Sequence, residues 1–313
     1  MAKAAAGEFV ASKEYQSFRS SISLKKEAVE HADGTIKTWS LYDYGTRSVK
    51  CPLVFLPPAT GTADVFYKQL MSLGSAGFRV LAVDYPVYWT HADWCEGFAK
   101  LLDALELDSV HLFGASLGGF LAQKFAEHTK NSRRVQSIVL CNSFTDTNAF
   151  SKLPNHQLYK YSPSFVMKRL ILKNFPKGKI DPEVADSVDF VVERLDSLSR
   201  EELASRLTMN TMPGYVEPHQ LNEQEMSIML IDVLDQTAIS PKVREDVAKC
   251  YPDAKVGHIK TGGNFAFLSR DQELNVYIKV HLRHFAATRF TAGEDFDYAA
   301  AAAAAGGADV PDK

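Results

Sequence analysis

Residues 109–119 constrain this chain more than any other stretch. An apolar run, Ser109–Phe113, passes without a linker into Gly114-Ala115-Ser116-Leu117-Gly118-Gly119, and an amphipathic stretch of helical period, Leu117–His128, begins at once. A strand that turns this sharply into a helix needs glycine on both sides of the apex, where side chains would collide with the returning backbone. Ser116 occupies the apex, with its hydroxyl over the sheet and the Leu117 amide aimed at the same space.

The rest of the chain alternates in the same rhythm. Pro52–Leu56, Arg79–Asp84, Val135–Cys141, Ser227–Asp232 and Ala254–Lys260 are further near-continuous apolar runs, the signature of buried parallel strands. Helical patterns over Ala63–Leu73, Ala92–Leu105, Pro241–Cys250 and Asp271–Phe285 separate them, with Thr62 and the Ser269/Gln272 pair as expected caps. Lys25–Glu30 and Ile36–Asp43 flank Asp33-Gly34, which predicts an opening antiparallel hairpin. More than 80 residues between Cys141 and Ser227 contain helices and no convincing strand. These are Pro163–Asn174 with Ser162 as cap, Asp181-Pro182 to about Leu195, and a third opened by the Ser199/Glu202 capping box. The fold class is α/β, an α/β-hydrolase fold: a mostly parallel central sheet flanked by helices, with a helical lid inserted at about 146–222. The domain is expected over 16–287, between a disordered tail at 1–15 and a low-complexity tail at 288–313 that holds the Ala299–Ala305 run.

Composition removes several function classes. A net charge of -3 and the absence of basic blocks interleaved with aromatics argue against nucleic acid as a partner. The four cysteines, Cys51, Cys95, Cys141 and Cys250, have no CxxC spacing, so neither a zinc site nor a disulfide framework is expected. No cofactor is expected either. The first 15 residues lack an apolar core, no run approaches the length of a membrane span, and the chain reads as soluble and cytosolic.

A G-x-S-x-G elbow in its strand–helix context predicts two partners later in the chain, an acid and then a histidine. Asp235, just past the Ile228–Asp232 run, is the candidate acid, with Asp232 as competitor. The base belongs in the turn after the last strand, Thr261-Gly262-Gly263-Asn264-Phe265, and there Asn264 stands in the histidine's place. An amide nitrogen cannot accept a proton near neutral pH, whereas imidazole titrates near 6.5. Serine without a base is a weak nucleophile, so Ser116, Asp235 and Asn264 read as a vestigial triad. His258 and His111 lie about 20 Å and about 17 Å along extended strands from Asn264 and Ser116, at ~3.3 Å per residue. His91, beyond the strand ending at Asp84, is the remaining candidate for a replacement base. After Pro52–Leu56 the chain reads Pro57-Pro58-Ala59-Thr60-Gly61, where two prolines remove two amide donors. Ala59 and Leu117 keep theirs, and are the oxyanion or ligand-binding candidates. Tyr85, Tyr88 and Trp89 cluster at the same sheet edge, either as packing beneath the lid or as a pocket wall.

Taken together, the strings Phe55–Pro58, Gly61–Phe66, Tyr85–Trp89, His111–Glu127, Leu140–Phe144, Glu202–Thr208, Tyr215–His219 and Lys260–Phe265 resemble the maspardin family of α/β-hydrolase-like proteins. The likeness runs from about residue 15 to 287 and includes both departures, Pro57-Pro58 and Asn264. The tails do not share it. The resemblance implies a cytosolic binding or adaptor protein, peripheral on endosome and trans-Golgi network membranes through its partners. Those implied partners are a membrane receptor's cytoplasmic tail and a relative of aldehyde dehydrogenase. Two other functions stand beside it: a serine esterase or lipase-type hydrolase with an atypical base, and a small-ligand receptor on the hydrolase fold.

Overall fold

The computed structural model describes residues 12–150, 153–173, 175, 180–222, 226–235 and 237–294. Eight strands, β1 (Lys25–Glu30), β2 (Ile36–Tyr44), β3 (Leu53–Leu56), β4 (Val80–Asp84), β5 (Val110–Ala115), β6 (Val135–Cys141), β7 (Ser227–Val233) and β8 (Lys255–Ile259), form one sheet. Their order is β1-β2-β4-β3-β5-β6-β7-β8. β1 and β2 are the hairpin predicted at Asp33-Gly34, and β2 also runs antiparallel to β4. Every other pairing is parallel.

β3 and β5 are buried along their whole length, which is why they read as uninterrupted apolar runs. Their side chains feed two cores in alternation. Val54, Leu56, Leu81 and Val83 face one, while Leu53, Phe55, Val80 and Ala82 face the other. α1 (Lys13–Ser21), α2 (Tyr67–Ser75) and α12 (Asp271–Leu282) cover the second face. α3 (His91–Ala104), α4 (Leu117–His128) and α10 (Pro241–Cys250) cover the first. Between β6 and β7 the described residues form helices and no strand: α5 (His156–Tyr159), α6 (Ser164–Leu172), α7 (Pro182–Ser197), α8 (Arg200–Thr211) and α9 (Pro218–Asn222). Tyr159, Met167, Ile171, Leu195, Leu203 and Leu207 give this lid a small core of its own.

The structure departs from the sequence reading at several ends. Residues 13–15 are not tail: Ser12 caps α1, and Tyr15 and Phe18 are buried against Tyr67 and Tyr42. The predicted tail at 288–313 starts too early. Residues 288–294 lie across the amino edge of the sheet, where the Ala292 carbonyl accepts from Arg79 N at 2.8 Å and Gly293 bridges Phe78. The Ala299–Ala305 run lies outside the described residues. Ser269 caps nothing, because its hydroxyl donates to the Gly262 carbonyl (2.8 Å), and a separate turn, α11 (Ala266–Ser269), precedes α12. Ser162 likewise yields its cap position to Pro163, and Thr62 makes no side-chain cap bond. The Ser199/Glu202 capping box is present at the start of α8. No helix among the described residues is long and apolar enough to cross a membrane.

Candidate functional site

β5 delivers Ser116 to the carboxyl edge of the sheet with φ 50° and ψ −114°, a strained conformation for a residue with a Cβ. The glycines around it are sterically required. A Cβ on Gly114 would lie 2.3 Å from Gly119 Cα, and one on Gly118 would lie 2.1 Å from the Leu56 carbonyl oxygen. The apex is held from β6 and its loop: Ser116 N donates to the Cys141 carbonyl (3.1 Å), and the Ser143 hydroxyl donates to the Ser116 carbonyl (3.1 Å). The Ser116 hydroxyl itself has no hydrogen-bond partner among the described residues.

Asp235 and Asn264 reach the same edge, where their side-chain oxygens accept from backbone amides. Asp235, two residues beyond β7, accepts from Gly262 N at 2.9 Å and from Gly263 N at 3.0 and 3.1 Å. Asn264 Oδ1 accepts from Ala238 N at 2.6 Å. Each loop thus holds the backbone of the other. Asn142, at φ 45° just after β6, completes the arrangement: its Nδ2 donates to the Gly263 carbonyl (3.2 Å) and its Oδ1 accepts from Val233 N (3.4 Å). This draws the turn after β8 back across β7, toward the strand beside β5. No hydrogen bond joins Ser116 to Asp235 or Asn264 among the described residues. Asp232 stays outside the clamp, half-buried on β7 opposite His258, and burial raises its carboxyl above the ordinary range.

His91, the candidate replacement base, is engaged by the lid. His91 is buried at the start of α3, edge-on to Phe120, and its Nε2 donates to the lid carbonyl of Met209 at 2.7 Å. Its other ring nitrogen backs onto Gly214, where a Cβ would lie 2.9 Å from Nδ1. Burial lowers its pKa, and no hydrogen bond joins either ring nitrogen to Ser116 among the described residues.

The loop after β3 is closer to a working form. Neither the Ala59 amide nor the Leu117 amide donates a hydrogen bond among the described residues. The close approach of Gly118 to the Leu56 and Pro57 carbonyls sets the start of this loop against the start of α4, next to Ser116. The loop is fixed from two sides. The Tyr85 hydroxyl donates to the Pro57 carbonyl (3.3 Å), and Arg206 of α8 reaches down to the Gly61 carbonyl and to Asp84 at the end of β4. The Arg206 guanidinium also lies over the Tyr85 ring, 4.6 Å from its centroid. Arg206 and Asn142 were missed in the sequence. Arg206 lies between Leu203 and Leu207 on the buried side of α8, and that position was the available signal.

Of the aromatic cluster, only Tyr85 touches the site. Tyr88 is buried with Trp39 (5.8 Å between rings), under the Lys37 ammonium at 4.0 Å, and forms no pocket wall. Trp89 packs at the border of the lid core, beneath Lys160. A cavity of about 390 Å³ opens between α1, α2 and α7, lined by Tyr67, Lys68, Glu183 and Phe190 among others, and none of the candidate residues borders it.

A family model described as "alpha/beta hydrolase fold" matches residues 52–213. Maspardin from Homo sapiens is 51% identical over 286 residues, which cover 91% of this chain and 92% of the human protein. Maspardin from Danio rerio is 51% identical over 285 residues, covering 91% of this chain and 90% of its own. The chain belongs to the maspardin family. Among solved structures, the enol-lactonase from Burkholderia xenovorans aligns with a TM-score of 0.68 at 14% identity, over 83% of this chain and 100% of its own. A hydrolase from Pseudomonas aeruginosa aligns with a TM-score of 0.67 at 19% identity, over 82% and 98%. Those two likenesses carry the fold alone. In this maspardin-family chain the strained serine elbow is kept, while Asp235 and Asn264 accept from backbone amides.

Proposed function

We propose that this protein is a non-catalytic binding or adaptor protein built on a hydrolase fold. The observation that carries the reading is the clamp: Asn264 supplies no base, and the Asp235 carboxylate that would orient one is taken up by the Gly262 and Gly263 amides. Membership of the maspardin family supports placing it at endosome and trans-Golgi network membranes. By the same token its proposed partners are a membrane receptor's cytoplasmic tail and an aldehyde dehydrogenase relative.

A fluorophosphonate probe with a small activated ester tests the catalytic half. Labelling of Ser116 should be no faster than that of an unactivated serine, and Ser116→Ala should leave ester hydrolysis nearly unchanged. Asn264→His should raise hydrolysis by well under the about 10²–10⁴-fold that a positioned base gives, because Asp235 faces the glycine amides. Wild-type turnover in the ordinary range of about 1–10³ per second, abolished by Ser116→Ala, would overturn the reading. Affinity capture against the two partner classes tests the other half.

The free amides of Ala59 and Leu117 favour a second reading, a receptor for a small carboxylate or carbonyl ligand. Such a ligand stabilises the fold by mass action, so a carboxylate panel that leaves the melting temperature unmoved would remove this reading.

A further inference from the structure

The lid presents an outward face that the candidate site does not use. α5 and the turn after it expose Leu158 and Tyr161, at 57% and 82%, and α6 exposes Phe165 and Leu172, at 72% and 41%. α6 buries Met167 and Ile171 on the lid core, four residues apart. Its exposed stripe, Phe165, Val166, Arg169, Leu172 and Lys173, repeats at the same helical spacing. A helix on the surface of a soluble domain normally turns a polar face to water. Here apolar side chains alternate with cations instead.

The cations are available. The side chains of Arg169 and Lys173 have no ion-pair or hydrogen-bond partner among the described residues, whereas Lys168 is taken by Asp196 (2.7 Å). The charge is concentrated as well. Between Asp146 and Asp181 the sequence has seven lysines and arginines and no Asp or Glu, in a chain of net charge -3. An anionic occupant follows from that complementarity. The apolar residues stand out from the helix rather than lining a recess, and exposed aromatic and leucine side chains beside long cations suit the headgroup layer of a membrane.

We infer that the outward face of α5 and α6 docks on an anionic lipid bilayer. Tyr161, Phe165 and Leu172 enter the headgroup–acyl boundary, and Arg169 and Lys173 meet the lipid phosphates. Neither set suffices alone, since stable peripheral binding takes two signals, one apolar and one electrostatic. This goes beyond the adaptor reading and stands whether or not Ser116 is reactive.

Co-sedimentation of the full chain with phosphatidylcholine vesicles, with and without phosphatidylserine, tests it. Binding is expected only to the phosphatidylserine vesicles, and should weaken as added salt shortens the screening length. Arg169→Ala and Lys173→Ala should each lower vesicle affinity about fivefold. Phe165→Ser should lower it while leaving the melting temperature unchanged. The inference is overturned by no vesicle binding, equal binding to neutral vesicles, alanine variants that bind like wild type, or a self-association lost in Phe165→Ser without vesicle binding. The last would assign the face to a second copy of the chain. Binding to an acidic peptide with none to vesicles would overturn it too, in favour of a protein partner.

Discussion

Asn264 gives its carbonyl oxygen to the Ala238 amide, so its place in the turn is structural as well as chemical. Asp235 is structural in the same way, which sets an expectation opposite to that for a catalytic acid. Asp235→Ala strands two part-buried glycine amides and should cost about 2–3 kcal/mol of stability, read by urea unfolding, with no change in ester hydrolysis. Two buried histidines set the pH response. His111 accepts from the Ser137 hydroxyl and donates to the Phe290 carbonyl, both at 2.7 Å, and burial lowers its pKa to about 4. His281 is buried with neither ring nitrogen hydrogen-bonded among the described residues, and burial lowers its pKa to about 3. Both are neutral in the native state at pH values where the unfolded chain, titrating near 6.5, takes up protons. Their contribution is therefore present above about pH 6.5 and lost as pH falls toward 4, by about 2 kcal/mol per histidine at pH 5. Unfolding curves at pH 7 and pH 5 check this, and a His111→Gln chain should show a shallower fall.

α8 binds the lid to the sheet through a single buried guanidinium. Arg206 joins Asp84, the Gly61 carbonyl and the Tyr85 ring, and so ties the lid to the end of β4 and to the loop holding Ala59. Arg206→Met leaves Asp84 without its cation and should cost about 3–5 kcal/mol. The double change Arg206→Met with Asp84→Leu should recover much of that, and a double-mutant cycle by thermal melting measures the coupling. Lengths and types of most elements were legible because buried parallel strands and capped amphipathic helices write themselves in side chains. Ala63–Leu73 shows the limit: it reads as one helix but begins with a 3-10 turn, Ala63–Phe66, before α2 (Tyr67–Ser75). The apolar spacing is nearly the same for both, and only the backbone distinguishes them. The place of Arg206 between leucines on the buried side of α8 was a signal, but its partners were not legible, because Asp84 and the Gly61 carbonyl lie on other elements.

Across the whole molecule, residues 288–294 act as a strap over the amino edge of the sheet. The Phe290 carbonyl meets His111, the Ala292 carbonyl meets Arg79 N, Glu294 N meets the Gly77 carbonyl, and Ala292 is buried. Deleting residues 288–313 should therefore lower the melting temperature by more than a few degrees, against the expectation for a loose tail, whereas deleting 295–313 should change it less. Differential scanning calorimetry of the two truncations separates the contribution of the strap from that of residues 295–313. The strap could not be seen in the sequence because its contacts are made by backbone carbonyls and amides, which every residue carries. The elbow could be seen, because only glycine fits at Gly114, Gly118 and Gly119 and only a serine there has chemical meaning. The clamp was half visible: Asp235 and Asn264 could be placed in the loops after β7 and β8, but their choice of backbone amides over each other was not written in residue type.

The strap also gives the molecule a direction. The chain leaves residue 294 beside Gly77 and Ser48, at the amino ends of the strands, while the lid sits over their carboxyl ends, about 20 Å away across the length of the sheet. With residues 295–313 removed, a fluorophore or an affinity handle attached at residue 294 therefore stands on the far pole from the elbow and the basic lid face. One attached at Ser12 stands instead beside α7, where Tyr15 and Phe190 meet at 5.0 Å. Immobilised by the first kind of handle, the protein offers its lid outward to any surface or solution it is shown. Immobilised by the second, it presents itself sideways.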